Sequence, residues 1–232
     1  MTFPLDRRTI REKLRLPLLV LIGMVLLSLS TACGSAGQGT TTNSAPATNT
    51  VPATDAAVYI PESDAPYVPA DADFVRGMLV HHAQALAMAA LVGERTEESA
   101  ILSLARRITK SQEYEIGLMN NWLAAHDEPA PAHGLGPHGG APPEHAHMAG
   151  LASVEQMRAL ERAEGDAFDR MFLRLMIPHH EGALTMVTGL LAYEGAGQEP
   201  ALFQLISDID ADQRAEIARM RALEERLQER GD

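Results

Sequence analysis

Cysteine occurs once in these 232 residues, at Cys33. A single thiol excludes an internal disulfide framework, and it excludes cysteine-rich zinc and iron–sulfur sites. Haem attachment through Cys-x-x-Cys-His is absent, as are a Gly-rich phosphate loop and a nucleophile elbow. The helical stretches contain no Glu-x-x-His, which a di-iron or di-manganese carboxylate enzyme takes from two of its helices. Basic residues are scarce, with 19 Lys and Arg against 31 Asp and Glu and a formal charge of −12. Such a surface repels nucleic acid and anionic lipid and attracts cations, although most of these charges serve solubility alone. No apolar run reaches the about 20 residues that a membrane span needs.

The longest apolar run, Leu16 to Leu29, follows Arg7, Arg8, Arg11, Lys13 and Arg15, and precedes Ser30-Thr31-Ala32-Cys33. A basic start, an apolar centre and small residues at the end mark a secretory signal. Leu29-Ser-Thr-Ala-Cys33 resembles a lipobox, with Ser30 where Leu is commonest. The layout expected is a lipoprotein-type signal peptide over 1–32, lipidation at Cys33 and a flexible tether over 33–70 rich in Thr, Ala, Ser, Pro and Gly. The competing reading is a plain secretory signal cut near Ala32. Either places the chain outside the cytoplasm, at the cell surface or in the periplasm; the first holds it on a membrane by lipid.

A motif occurs twice. Asp71, Phe74, Arg76, Met78, His81, His82, Ala85 and Met88 recur as Asp169, Phe172, Arg174, Met176, His179, His180, Ala183 and Met186. A second match pairs Leu104, Ile108, Gln112, Glu115, Ile116 and Met119 with Leu205, Ile209, Gln213, Glu216, Ile217 and Met220, at an offset three residues larger. Apolar residues in steps of three and four predict helices. One runs from Asp71 to Gly93, one from about Ser99 to His126, one from Ser153 to about Tyr193 and one from Pro200 to about Gln228. Ser153 and Gln156 fit a capping box, Pro200 suits a first turn, and Pro178 predicts a kink in the third helix. Residues 127–150, rich in His, Pro and Gly, read as a loop. The fold expected over 71–230 is all-α, a ferritin-like four-helix bundle made of two repeated helical hairpins.

At about 100° per residue, the repeated Asp, Met and His positions share about a third of a helix circumference. Thioether sulfur selects Cu(I), and imidazole accepts Cu(I), Cu(II), Zn(II) or Ni(II), so the mixed set makes copper, as Cu(I) or Cu(II), the leading candidate. The ligand candidates are Met78, His81, His82 and Met88 with Met176, His179, His180 and Met186. Asp71, Asp169, Glu115, Glu216, Met119 and Met220 are further candidates, as ligands or as partners that orient the histidines. His145, His147 and Met148 form a possible weaker loop site. Other readings stay open. Methionine at helical spacing is also core filler, Asp71 can simply cap its helix, and the histidines can close a metal-free polar network with Glu115, Glu216, Gln112 and Gln213.

These residues resemble a bacterial family of unassigned function, number 305 in the domain-of-unknown-function series. It is marked by duplicated Asp…Phe…Met…His-His…Ala…Met helices and Gln…Glu-Ile…Met second helices. The resemblance runs from about Asp71 to Gln228 and extends to Met148-Ala-Gly150, a worn form of a Met/Gly segment before the third helix. It implies a ferritin-like fold and, because some members are secreted or periplasmic copper-binding proteins linked to copper resistance, a copper role. Three functions follow. The first is a lipid-anchored, non-enzymatic copper carrier that sequesters the ion or exchanges it with a donor or acceptor protein. The second is a helical interaction or stress module with structural histidines. The third is a metal-dependent oxidoreductase, which the missing Glu-x-x-His disfavours.

Overall fold

A computed structural model describes residues 66–230; the signal segment, Cys33 and all but the end of the tether lie outside them. Among the described residues the fold is all-α, with helices α1 (Pro69–Arg95), α2 (Ser99–Ala125), α3 (Val154–Arg162), α4 (Gly165–Leu191) and α5 (Pro200–Glu229) and no strand. Single 3-10 turns at Pro137–Gly139 and Pro143–His145 interrupt the loop between α2 and α3. Helix α1 packs against α2 and α4, and α5 packs against both of those. The α1–α4 seam therefore lies opposite the α2–α5 seam.

Helix α1 is long and apolar enough to cross a membrane by composition, yet 67% of that stretch is buried inside the protein. It is covered by α2, α4, α3 and the 3-10 turn at Pro137–Gly139, the environment that a helix apolar on most sides requires.

Two apolar clusters hold the helices together. One gathers the second half of α1 and the first half of α4, around Met88, Val92, Phe168 and Phe172, with Ile101 and Ile108 of α2 and Met220 and Leu223 of α5. The other gathers the opposite halves, around Phe74, Met78, Met119, Trp122, Val187 and Leu202. Neighbouring helices thus run in opposite directions. Each large side chain fully buried here contributes about 1.5–3 kcal/mol. At mid-height, between the clusters, lie His81, His82, Gln112, Glu115, His179, His180, Gln213 and Glu216, all buried.

The expected single helix from Ser153 to Tyr193 is instead two. Ala163 and Glu164 are extended and Gly165 has φ of 53°, a left-handed conformation that costs a glycine little. Asp169 therefore lies in the second turn of α4 rather than deep inside one long helix. The Ser153–Gln156 capping box is present, Pro200 opens α5, and α4 stays helical through Pro178.

Candidate metal centre

Successive residues of a helix point about 100° apart, so the two histidines of each pair meet different surroundings. The first of each pair faces the α1–α4 seam. The rings of His81 and His179 lie 3.9 Å apart between centres, at 42°. His81 Nε2 lies 3.1 Å from the Ala149 carbonyl, which only an N–H can satisfy, so its Nδ1 keeps the lone pair. That Nδ1, and both ring nitrogens of His179, are buried with no hydrogen-bond partner. Burial, reinforced by repulsion from His82, pulls the His81 pKa down to about 3. Burial and the neighbouring His81 push His179 well below the ordinary imidazole value. Both rings are therefore neutral at pH 7, with lone pairs facing no proton donor. An unsatisfied buried polar group costs about 1–3 kcal/mol, so these nitrogens are open to a further partner.

The second histidine of each pair joins a carboxylate from a later helix, α2 for His82 and α5 for His180. His82 Nε2 lies 2.6 Å from Glu115 Oε2 and His180 Nε2 lies 2.8 Å from Glu216 Oε2. His180 Nδ1–H donates to the Met176 carbonyl at 3.0 Å, so a proton must sit between its Nε2 and Glu216. The two His–Glu pairs differ in their surroundings. Ser111 Oγ donates to Glu216 Oε1 at 2.9 Å, whereas the repeat-equivalent of Ser111 is Asp212. Burial, then Asp212 and Glu216, raise the Glu115 pKa to about 8, while burial, then His180, lower that of His82 to about 3. Protonated Glu115 thus donates to neutral His82. His82 and His180 are paired with Glu115 and Glu216, but the network is not closed, since His82 Nδ1 and Glu115 Oε1 are also buried without partners; His81 and His179 stand outside these pairs. Both amide atoms of Gln112 and Oε1 of Gln213, in the same layer, are buried without partners.

The methionines divide as well. Met78, Met88, Met119, Met176 and Met220 are fully buried in the two apolar clusters. Met186 is half-buried, and its methyl group and the Met148 sulfur both lie over Gly77, one turn before His81. A Cβ on Gly77 would lie 3.4 Å from each. Met148 is therefore carried away from the exposed His147 and onto the α1–α4 seam. The next residues continue as a strap: Ala149 accepts from His81, and Gly150 (φ 80°) lies against Gly182, His179 and the Pro178 carbonyl. Gln84 anchors its far end, donating to Gly139 and Ala152 carbonyls and accepting from Ala152 N–H.

Neither the strap nor its seat emerged from the repeat. The available signals were Gln84 on an apolar face and Gly77 and Gly182 inside helices, where glycine costs about 1 kcal/mol relative to alanine.

Asp71 and Asp169 lie at the ends of the helices, away from the histidines. Asp71 accepts from Val68 and Gly197 N–H, a cap with both oxygens engaged. Asp169 Oδ1 is buried without a partner, and burial raises its pKa against the opposing Thr96 hydroxyl. Each repeated Asp thus meets the turn of the other helix pair. Among the described residues, no group of three or more His, Cys, Asp or Glu side chains is disposed to hold a metal ion.

A family model described as a domain of unknown function (DUF305) matches residues 71–224. No curated protein matches this chain. Several solved structures do. A DUF305 fragment from Deinococcus radiodurans is 35% identical with a TM-score of 0.60, over 69% of this chain and 99% of that one. A DUF305 protein from Streptomyces coelicolor is 29% identical with a TM-score of 0.57, over 68% and 93%. CopM in its Cu(II)-bound form is 32% identical with a TM-score of 0.52, over 67% and 96%; CopM has also been solved with Cu(I) and with Ag bound.

Proposed function

Because this chain belongs to the DUF305 family, we propose that it is a lipid-anchored extracytoplasmic copper-binding protein that sequesters the ion or passes it to a partner protein. Its layout on this reading is a lipoprotein signal over 1–32, a tether over 33–70 and, over 71–230, a ferritin-like four-helix bundle of two repeated hairpins. The observation that carries the reading is His179: a neutral, fully buried imidazole with neither nitrogen satisfied, 3.9 Å from a second ring with a free Nδ1. The likeness to CopM, solved with Cu(I), Cu(II) and Ag, supports copper over harder cations.

The residues that would hold the ion are His81 and His179 with the sulfurs of Met186 and Met148. Imidazole with thioether is a donor set suited to Cu(I). His82 and His180, braced by Glu115 and Glu216, hold the adjacent turns of α1 and α4 in place. Met78, Met88 and Met176 pack the core around them. No catalytic step is required, since binding to the folded form alone stabilises it.

A chelator-competed Cu(I) titration of the full chain, with thermal unfolding alongside, tests this. Tight, stoichiometric binding with a raised Tm, lost in H81A/H179A, supports the assignment. Unchanged affinity in that variant rejects it. The paired His82–Glu115 and His180–Glu216 favour a second reading, a metal-indifferent interaction module, which predicts a Tm insensitive to copper.

A further inference from the structure

The seam opposite the His81–His179 pair has a different character. Helices α2 and α5 leave a surface groove of about 540 Å³, lined by Arg106, Arg107, Lys110 and Tyr114 of α2 and by Arg219 of α5. Within the described residues none of these four cations makes an ion pair, unlike Arg76, Arg95, Arg214, Arg221 and Arg230; Arg158, Arg162, Arg170, Arg174 and Arg226 elsewhere make none either, but here four lie in one groove. The carboxylate nearest to neutralising them is unavailable, because Glu216 on the groove floor is committed to Ser111 and His180. Asp212 alone remains at the rim, near Arg219. Tyr114 stands beside the cations, 59% exposed.

From these observations we infer that the α2–α5 face is a docking surface for an acidic protein. On a chain of net charge −12, the unpaired cations gathered on α2 make a positive field along that side of the groove, while Glu216 and Asp208 keep the Asp212 rim negative. That field steers an acidic face toward the groove and repels free cations. Arginine and tyrosine are the side chains that dominate binding energy at protein interfaces. The rim carboxylate of Asp212 disfavours a uniformly charged polyanion and suits a protein face of mixed charge. The inference rests on charge and exposure and is independent of the metal assignment.

The test uses the full chain and a fluorescein-labelled peptide rich in Glu and Asp, followed by fluorescence anisotropy. Binding should weaken about tenfold or more in R106E/R107E/K110E and fall with added salt, while R158E/R174E, which reverses exposed charges elsewhere, leaves it within about twofold. Equal loss in both variants overturns the proposal. So does binding of heparin with none of the peptide, which makes the groove a polyanion site. Salt-sensitive self-association in sedimentation, abolished by the triple variant, also overturns it and makes a second copy of this chain the occupant.

Discussion

Asp71 Oδ1 accepts the Gly197 N–H at 2.7 Å, tying the first turn of α1 to the connection between α4 and α5. Its other oxygen accepts from Val68 N–H at 3.0 Å. One carboxylate thus caps a helix and clamps a turn far away in sequence, which explains why an acid stands here without any metal.

Asp71→Ala leaves both N–H groups without this acceptor. Each unsatisfied group costs about 1–3 kcal/mol, so urea denaturation should show a loss of about 2–4 kcal/mol. Asp71→Asn, which keeps one acceptor oxygen, should lose less. Cu(I) affinity should not change in either.

The strap makes a prediction with a reversed sign. Gly182 sits inside α4, where alanine is normally better by about 1 kcal/mol. Here an added Cβ would collide with the Ala149 carbonyl and the Gly150 backbone. Gly182→Ala should therefore destabilise the fold in thermal melts and weaken Cu(I) binding, because the strap carries Met148. A stabilised Gly182→Ala protein would mean that the strap does not sit on α4.

The methionines divide by depth. Met148→Leu and Met186→Leu, at half-buried seam positions, should each lower Cu(I) affinity by about tenfold or more with under about 1.5 kcal/mol change in stability. Met88→Leu, in the apolar core, should leave affinity unchanged. Chelator competition on the three variants decides this, and an effect at Met88 equal to that at Met186 would contradict the seam site.

Acid and alkali should act on the metal-free protein through different groups. Folding holds His81 and His82 near 3, so below about 6.5 the unfolded chain takes up protons that the folded chain refuses. Stability therefore falls as pH drops from about 6.5 toward 3. Glu115 works in the opposite sense. The folded chain keeps its proton up to about 8, while the unfolded chain releases it above about 4.3. Its contribution is full at low pH and is lost as pH rises to about 8. Thermal melts from pH 5 to 8.5 should peak near neutrality, and Glu115→Gln should flatten the alkaline decline.

Sequence by itself determined the helices apart from the break between α3 and α4, together with the duplication and the residues of the buried polar layer. Periodicity places apolar residues on one stripe, Ser153 and Gln156 cap α3, and paired Gln and Glu on α2 and α5 face the pairs of His on α1 and α4. These are local properties, set by spacing along a single helix. The break before α4 was less legible, because Ala163 and Glu164 carry no strong stop signal and only the φ of Gly165 reveals it. What the tertiary structure decided is which neighbour each histidine meets. His81 and His82 are equivalent in composition, and only the placement of α4 and α2 sends one to an unsatisfied ring and the other to Glu115. Likewise Met88 and Met186 are twins in the repeat. One is sealed in the core and the other lies at the seam beside Met148, because a single strap crosses the α1–α4 face and a duplicated pattern cannot encode an element that occurs once.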